Sequence, residues 1–167
     1  MQGHQIIIKN LASLFQEATL HTISPSNRLY RGCWQQDLAF TGGMWFSDKP
    51  DDAAEYIAMH AQAGRDLGYS PILFEATPVN SIVLTELRGN HIQLFQTAYG
   101  GAWSHASLTE DLPVAFASLN RGPIRGFLRP DRNEFFISGV ETALNLCKVS
   151  SGDAALRVAS RVKGFEV

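Results

Sequence analysis

Four side chains in this sequence are of types, and in contexts, that can do chemistry on a charged, sugar-containing molecule. Arg31 stands in Tyr30-Arg31-Gly32, where an arginine leaving a strand beside a glycine can hold a phosphate or a ribose with its fixed fork of donors while the backbone comes close. Ser47 ends the run Met44-Trp45-Phe46-Ser47, and Tyr56 follows on the next segment, three residues after Ala53. Glu134 opens Glu134-Phe135-Phe136-Ile137, so its carboxylate borders an apolar wall, where it can meet a developing positive charge in a poorly solvated site. Three of the four also have a plainer reading. Arg31 reads equally as a surface arginine beside a turn, Ser47 or Asp48 as a helix cap, and Tyr56 as a boundary aromatic.

The elements that must position these groups are legible from periodicity and punctuation. Leu11, Leu14, Phe15 and Ala18 form a helical stripe over Asn10 to Leu20. Beyond the Ser24-Pro25-Ser26-Asn27 loop, Arg28 to Trp34 reads as a strand, Thr41 to Gly43 as a turn and Met44 to Ser47 as a short second strand. Asp48, Pro50, Asp51 and Asp52 supply a helix start: a capping carboxylate, a first-turn proline and acids at the positive end of the dipole. The helix runs from about Pro50 to Leu67 and ends near Gly64 or Gly68. Pro71 to Thr77 and Asn80 to Thr85 are strands divided by Pro78, and Leu87 to Ala98 has a helical pattern. Tyr99 to His105 reads as an exposed loop, followed by a weakly helical stretch to Leu119. Ile124 to Leu128 and Glu134 to Ile137 are strands around a turn at Arg129 to Asn133, and the tail from Gly139 mixes a short helix with a last one over Ala154 to Val162. Short aromatic strands, uneven loops and one good helix predict a single α+β domain over residues 1–167, with a bent, mostly antiparallel sheet.

Composition narrows the functional classes. A chain of 167 residues with 45% hydrophobic content supports one sizeable core. A net charge of −2 without a basic block gives no footprint for tracking a phosphate backbone. Met1 to Lys9 is too short an apolar run for a signal-peptide core, and no segment has the length of a membrane span, so the expected location is the cytoplasm, or a target cell reached without a cleaved signal, and no membrane partner is expected. Cys33 and Cys147 are isolated and lack metal-ligand spacing; they read as buried thiols, with no metal site. The sequence has no GxGxxG after a strand, no GxxxxGK[ST] and no HExxH.

Taken together, Tyr30-Arg31-Gly32, Trp45-Phe46-Ser47, Ala53-Ala54-Glu55-Tyr56 and Asn133-Glu134-Phe135-Phe136 resemble the motifs of the ADP-ribosyltransferase family, in the branch with an arginine on the first strand, a serine on the second and a glutamate on a later one. The resemblance implies a split sheet with flanking helices and a cleft between two small sheets that holds NAD in a folded shape. It makes NAD the substrate and requires no metal. Arg31, Gly32, Phe46, Ser47 and Tyr56 would bind NAD, with Arg31 on the phosphates or the nicotinamide-side ribose and Tyr56 packed near the nicotinamide. Glu134, Arg31 and Ser47 would be catalytic, Ser47 bracing the glutamate or the ribose and Glu134 stabilising the charge that builds as nicotinamide leaves.

The implied activity is transfer of ADP-ribose to a macromolecular acceptor. Family members that modify arginine carry a second acid two residues before the late glutamate; here that place is Arg132, which points to a nucleic-acid base, water or a different side chain. Phe46-Ser47-Asp48 stands where many members have Ser-Thr-Ser, and Glu141 is an alternative acid. NAD hydrolysis and a catalytically silent binding module are the competing readings. Small size fits a toxin or effector with a neutralising partner protein, and Tyr99, Gly100, Gly101, Trp103 and His105 form a candidate acceptor-recognition loop.

Overall fold

The structure, a computed structural model, describes residues 2–35, 40–91, 93, 97 and 105–162. The elements in chain order are α1 (Gln2–Gln16), β1 (Leu20–Ile23), β2 (Leu29–Gln35), β3 (Met44–Ser47), α2 (Pro50–Met59), α3 (Ala61–Asp66), β4 (Ser70–Pro78), β5 (Ile82–Glu86), α4 (His105–Ala117), β6 (Ile124–Arg129), β7 (Glu134–Ile137), α5 (Val140–Ala143), β8 (Leu144–Ser151) and α6 (Asp153–Ala159). The fold is α+β. Among the described residues, eight strands form one curled sheet in the order β1-β5-β6-β7-β3-β2-β4-β8, and only the β5–β6 pairing is parallel.

Strand alternation sorts the side chains into three cores. On one face of the sheet Ile23, Leu29, Met44, Phe46, Ala76, Leu84, Phe135 and Ile137 pack with α5. A second core puts Leu11 and Phe15 of α1 and Leu112 and Phe116 of α4 against Phe127 and Phe136, with Trp45 at its border. The third joins α2 and α6 to β4 through Ala53, Ile57, Leu73, Ala155 and Ala159.

The sheet is narrowest where the site will lie. β2 pairs with β4 from Leu29↔Ala76 to Gln35↔Ser70, and β3 with β7 from Met44↔Ile137 to Ser47↔Glu134. β2 and β3 share one paired position, Tyr30↔Ser47. The expected two small sheets are therefore two halves of one hydrogen-bonded sheet, splayed apart beyond that pair.

Several sequence expectations change. α1 begins at Gln2 and stops at Gln16, short of Leu20, because Arg121 reaches back to donate to the carbonyls of Phe15 and Ala18. The residues after it form β1, in which Ile23 alone is buried. The helix expected over Pro50 to Leu67 is broken at His60, where the Trp34 indole donates to the carbonyl of Ile57 at 2.8 Å. Its start is right in kind, with Pro50, Asp51 and Asp52 in the first turn, but the cap residue is Lys49 and no side chain caps it. β8 was hidden because it is an edge strand with one buried residue and polar Asn145, Lys148 and Ser150 along its length. Cys33 is half-buried and Cys147 is exposed on β8, against the reading of both as buried. Of the described residues in the Leu87–Ala98 segment, Leu87 to Gly89 are loop and turn, and Asn90, His91, Gln93 and Thr97 are helical.

Gly32 sets the seating of α2. A methyl group there would overlap the Ala53 carbonyl and crowd the Ile57 side chain, so the absent side chain lets the helix lie directly on β2. Gly32→Ala forces that contact apart and is expected to cost about 2–3 kcal/mol, the range of overpacked sites. Thermal unfolding should show a melting temperature lowered by roughly 5–10 °C.

Candidate active site

A cleft of about 530 Å³ opens at the splay between β2 and β3. Tyr30, Arg31 and Gly32 line it from β2, Trp45, Phe46 and Ser47 from β3, Asp52, Ala53, Glu55, Tyr56 and Met59 from α2, and Asp131 to Glu134 from the β6–β7 connection. The six residues to which the resemblance gives a catalytic or NAD-binding place, Arg31, Gly32, Phe46, Ser47, Tyr56 and Glu134, all border this cleft. Their convergence follows from local chain geometry. β2 and β3 are adjacent, α2 leaves the end of β3 and folds back onto β2, and the β3–β7 register sets Glu134 directly opposite Ser47.

Arg31 bridges the splay. Its guanidinium donates to the carbonyl of Trp45 at 3.0 Å, joining β2 to β3 where their backbone pairing has ended. Its Nε is buried without a hydrogen-bond partner. Burial pulls its pKa down, opposed by the thiol of Cys33 and the phenol of Tyr56, and an arginine still keeps its proton. Burial also pushes the Cys33 thiol up, against the pull of Arg31, so Cys33 stays neutral. Arg31 thus offers fixed charge and an unused donor at the junction of the sheet halves.

Ser47 is 7% exposed and fully occupied. It donates to Asp52 at 3.0 Å and accepts from the Lys49 amide at 3.1 Å, tying the end of β3 to the first turn of α2. The expected bond to the glutamate is absent; Ser47 braces Asp52 instead. Phe46 forms cleft floor, with its ring in the core at 3% exposure. Tyr56 is 46% exposed, its ring tilted beside His60 with centroids 5.4 Å apart, so one face is open to a flat ligand.

Glu134 sits at the rim, 28% exposed, with Arg129 on the neighbouring strand 3.6 Å away. Burial pushes its pKa above the ordinary carboxylate range. Arg129 and Arg132 oppose the shift, while Asp131 and Asp52 add to it. Glu141, the alternative acid, lies outside the cleft lining and accepts from the Gly42 amide at 3.0 Å. The loop 99–104 is outside the described residues, and of His105 only the backbone, opening α4, is described.

Three participants were missed in the sequence. Asp52 looked like a helix-dipole residue, although its spacing from Ser47 spans the strand end and the first helical turn. Asp131 and Arg129 looked like turn residues. Their signal was the turn itself, which makes Arg129 and Glu134 cross-strand neighbours.

No protein-family model matches this chain, and no curated protein matches it. Among solved structures, the chain is similar to one from the crystal structure of the M. tuberculosis MbcT–MbcA toxin–antitoxin complex, with a TM-score of 0.54. The alignment covers 92% of this chain and 97% of that one. At 13% identity the likeness is one of fold. Among the described residues no helix is long and apolar enough to cross a membrane, and no three His, Cys, Asp or Glu side chains are grouped to hold a metal ion.

The raised pKa of Glu134 has a thermodynamic consequence. The folded state holds that proton more tightly than the unfolded chain, so the charged form weakens the fold as pH rises through the window between the two pKa values. Glu134→Gln, which stays neutral, should match the wild-type melting temperature near about pH 4 and equal or exceed it near about pH 8. A variant less stable at the higher pH would contradict this account.

Proposed function

We propose that this protein is an NAD-dependent ADP-ribosyltransferase. The observation that carries the reading is the meeting of Arg31, Ser47, Tyr56 and Glu134, from separate segments, around one cleft of about 530 Å³. The residues fit a dinucleotide substrate. Arg31 brings a guanidinium charge to the cleft wall, where it would attract a phosphate or a ribose oxygen, and Gly32 leaves the strand backbone approachable. Tyr56 presents an open ring face to the nicotinamide.

Glu134 supplies the chemistry. As the ribose–nicotinamide C–N bond breaks, its electron pair leaves with nicotinamide and positive charge builds on the ribose. A fixed carboxylate that also accepts from a ribose hydroxyl favours that charged state over the ground state. The acceptor's nucleophilic atom then bonds to the same carbon and gives up its proton to solvent. Ser47 holds Asp52 and so the start of α2, the helix that carries Tyr56.

The rim argues about the acceptor. Exposed Arg132 lies in the cleft wall where family members that modify arginine carry an acid, which supports an acceptor other than a protein arginine. Glu134 keeps partial exposure, so water also reaches the reacting carbon, and NAD hydrolysis is the second reading. The fold shared with a chain from a toxin–antitoxin complex supports a toxin or effector role with a neutralising protein partner.

The test is release of nicotinamide from NAD by the purified protein, alone and with cell lysate, beside Glu134→Gln. We expect release that falls roughly 100-fold or more in the variant. Dependence on lysate favours transfer, and full release without it favours hydrolysis. Absence of release in both conditions would count for a silent binding module. The rate should rise with pH on an acid limb above the ordinary carboxylate range, because the ionised form of Glu134 is the active one.

A further inference from the structure

We propose that Arg129 is a positioning residue for Glu134, a guanidinium shared between two carboxylates that fixes the reactive one, charged, at the edge of the cleft. The proposal rests on the function proposed above for Glu134. It is carried by a compact arrangement in one hairpin. Arg129 ends β6 and Glu134 begins β7, and the two are partners in the strand register. The Arg129 side chain is 9% exposed, against 28% for Glu134 and 48% for Asp131. One arm of its fork lies 3.6 Å from Glu134 Oε2, and the other donates to Asp131 Oδ2 at 3.0 Å.

The turn holds these groups in place. The Arg132 amide donates to the Arg129 carbonyl at 3.2 Å, and Asn133 takes a left-handed conformation with φ 51° just before Glu134. An arginine this buried needs carboxylate partners, and its planar fork presents fixed, separate N–H groups to two of them at once. Arg129 does not line the cleft, so any influence on a ligand passes through the glutamate. The Glu134 carboxylate makes no other ion pair or hydrogen bond among the described residues, which leaves Oε1 for a substrate hydroxyl.

The charged groups facing Glu134 are Arg129 from β6, Asp131 and Arg132 from the turn and Asp52 from α2. Burial and the two aspartates favour its neutral form, and Arg129 is foremost among the groups opposing them. Asp131 has two effects of one sign. It repels the Glu134 charge directly, and it draws the guanidinium away. Removing Arg129 and removing Asp131 must therefore move Glu134 in opposite directions.

Glutamate carboxyl-¹³C NMR reads this without reference to turnover, with the Glu134 signal assigned by its loss in Glu134→Gln. Arg129→Met is expected to raise the Glu134 midpoint by about one pH unit, and Asp131→Asn, at an exposed position, to lower it by roughly half a unit. Arg129→Lys should fall between wild type and Arg129→Met. In nicotinamide release, Arg129→Met should shift the acid limb upward by the same amount and lower kcat about tenfold, with KM for NAD changed less than about twofold. Absence of turnover in the wild type would count against the enzyme reading, while the NMR midpoints still test the positioning. An unmoved midpoint in Arg129→Met overturns the proposal. If Arg129→Met does not fold, a midpoint in Asp131→Asn that stays or rises overturns it instead.

Discussion

The structure depends on how little holds β2 to β3. A single paired position, Tyr30↔Ser47, carries the sheet across its middle, while the pairings on either side run for the length of the strands. Backbone groups freed by such a splay must find partners or water, since burying them unpaired costs about as much as a lost hydrogen bond. Arg31 answers part of that need by donating across the gap to the Trp45 carbonyl. The residue that keeps the splay together is thus also the cation that the cleft presents. Ser47 repeats the pattern: it is one half of the sole backbone pair, and its hydroxyl ties strand to helix through Asp52. Structure and chemistry draw on the same side chains, so neither can be altered alone.

The charges lining the cleft lean acidic, with Arg31 and Arg132 against Asp52, Glu55, Asp131 and Glu134, and they are unevenly buried. Arg31 lies deep between the strands, Asp52 in the first turn of α2, and Asp131, Arg132 and Glu134 around the rim. In such a setting a carboxylate is governed by competition. Loss of hydration pushes it toward neutrality, and the arginines hold it charged. A glutamate stabilised too strongly by a tight, dry ion pair would have little left to offer a developing cation. At 3.6 Å the partner of Glu134 is close enough to orient it and distant enough to leave its charge unspent.

Much of this was legible in the sequence, and the reasons differ by element. β2, β3, β7 and the start of α2 announce themselves because apolar and aromatic runs meet glycine, proline and aspartate within a few residues. These elements carry Arg31, Ser47, Tyr56 and Glu134, so the segments that converge on the cleft are legible before their geometry is known. What stayed hidden depends on contacts between distant segments. No local pattern shows that Arg121 ends α1, that Trp34 breaks the helix at His60, or that a polar stretch at Leu144–Ser151 pairs with β4. The bond from Ser47 to Asp52 was hidden for the same reason. The sequence shows that Asp52 is near, and only the fold decides that its carboxylate turns toward the hydroxyl.

The division of the cleft between the two sheet halves has a mechanical side. Arg31 and Gly32 belong to the half built on β2, and Tyr56 travels with them because α2 is seated on Gly32. Ser47 and Glu134 belong to the half built on β3 and β7. A molecule gripped by Arg31 and Tyr56 at one end and by Glu134 at the other would span the seam, acting as a clasp across the weakest line of the sheet. For such a protein the substrate is part of the architecture while it stays bound, and resistance to unfolding rises with its free concentration.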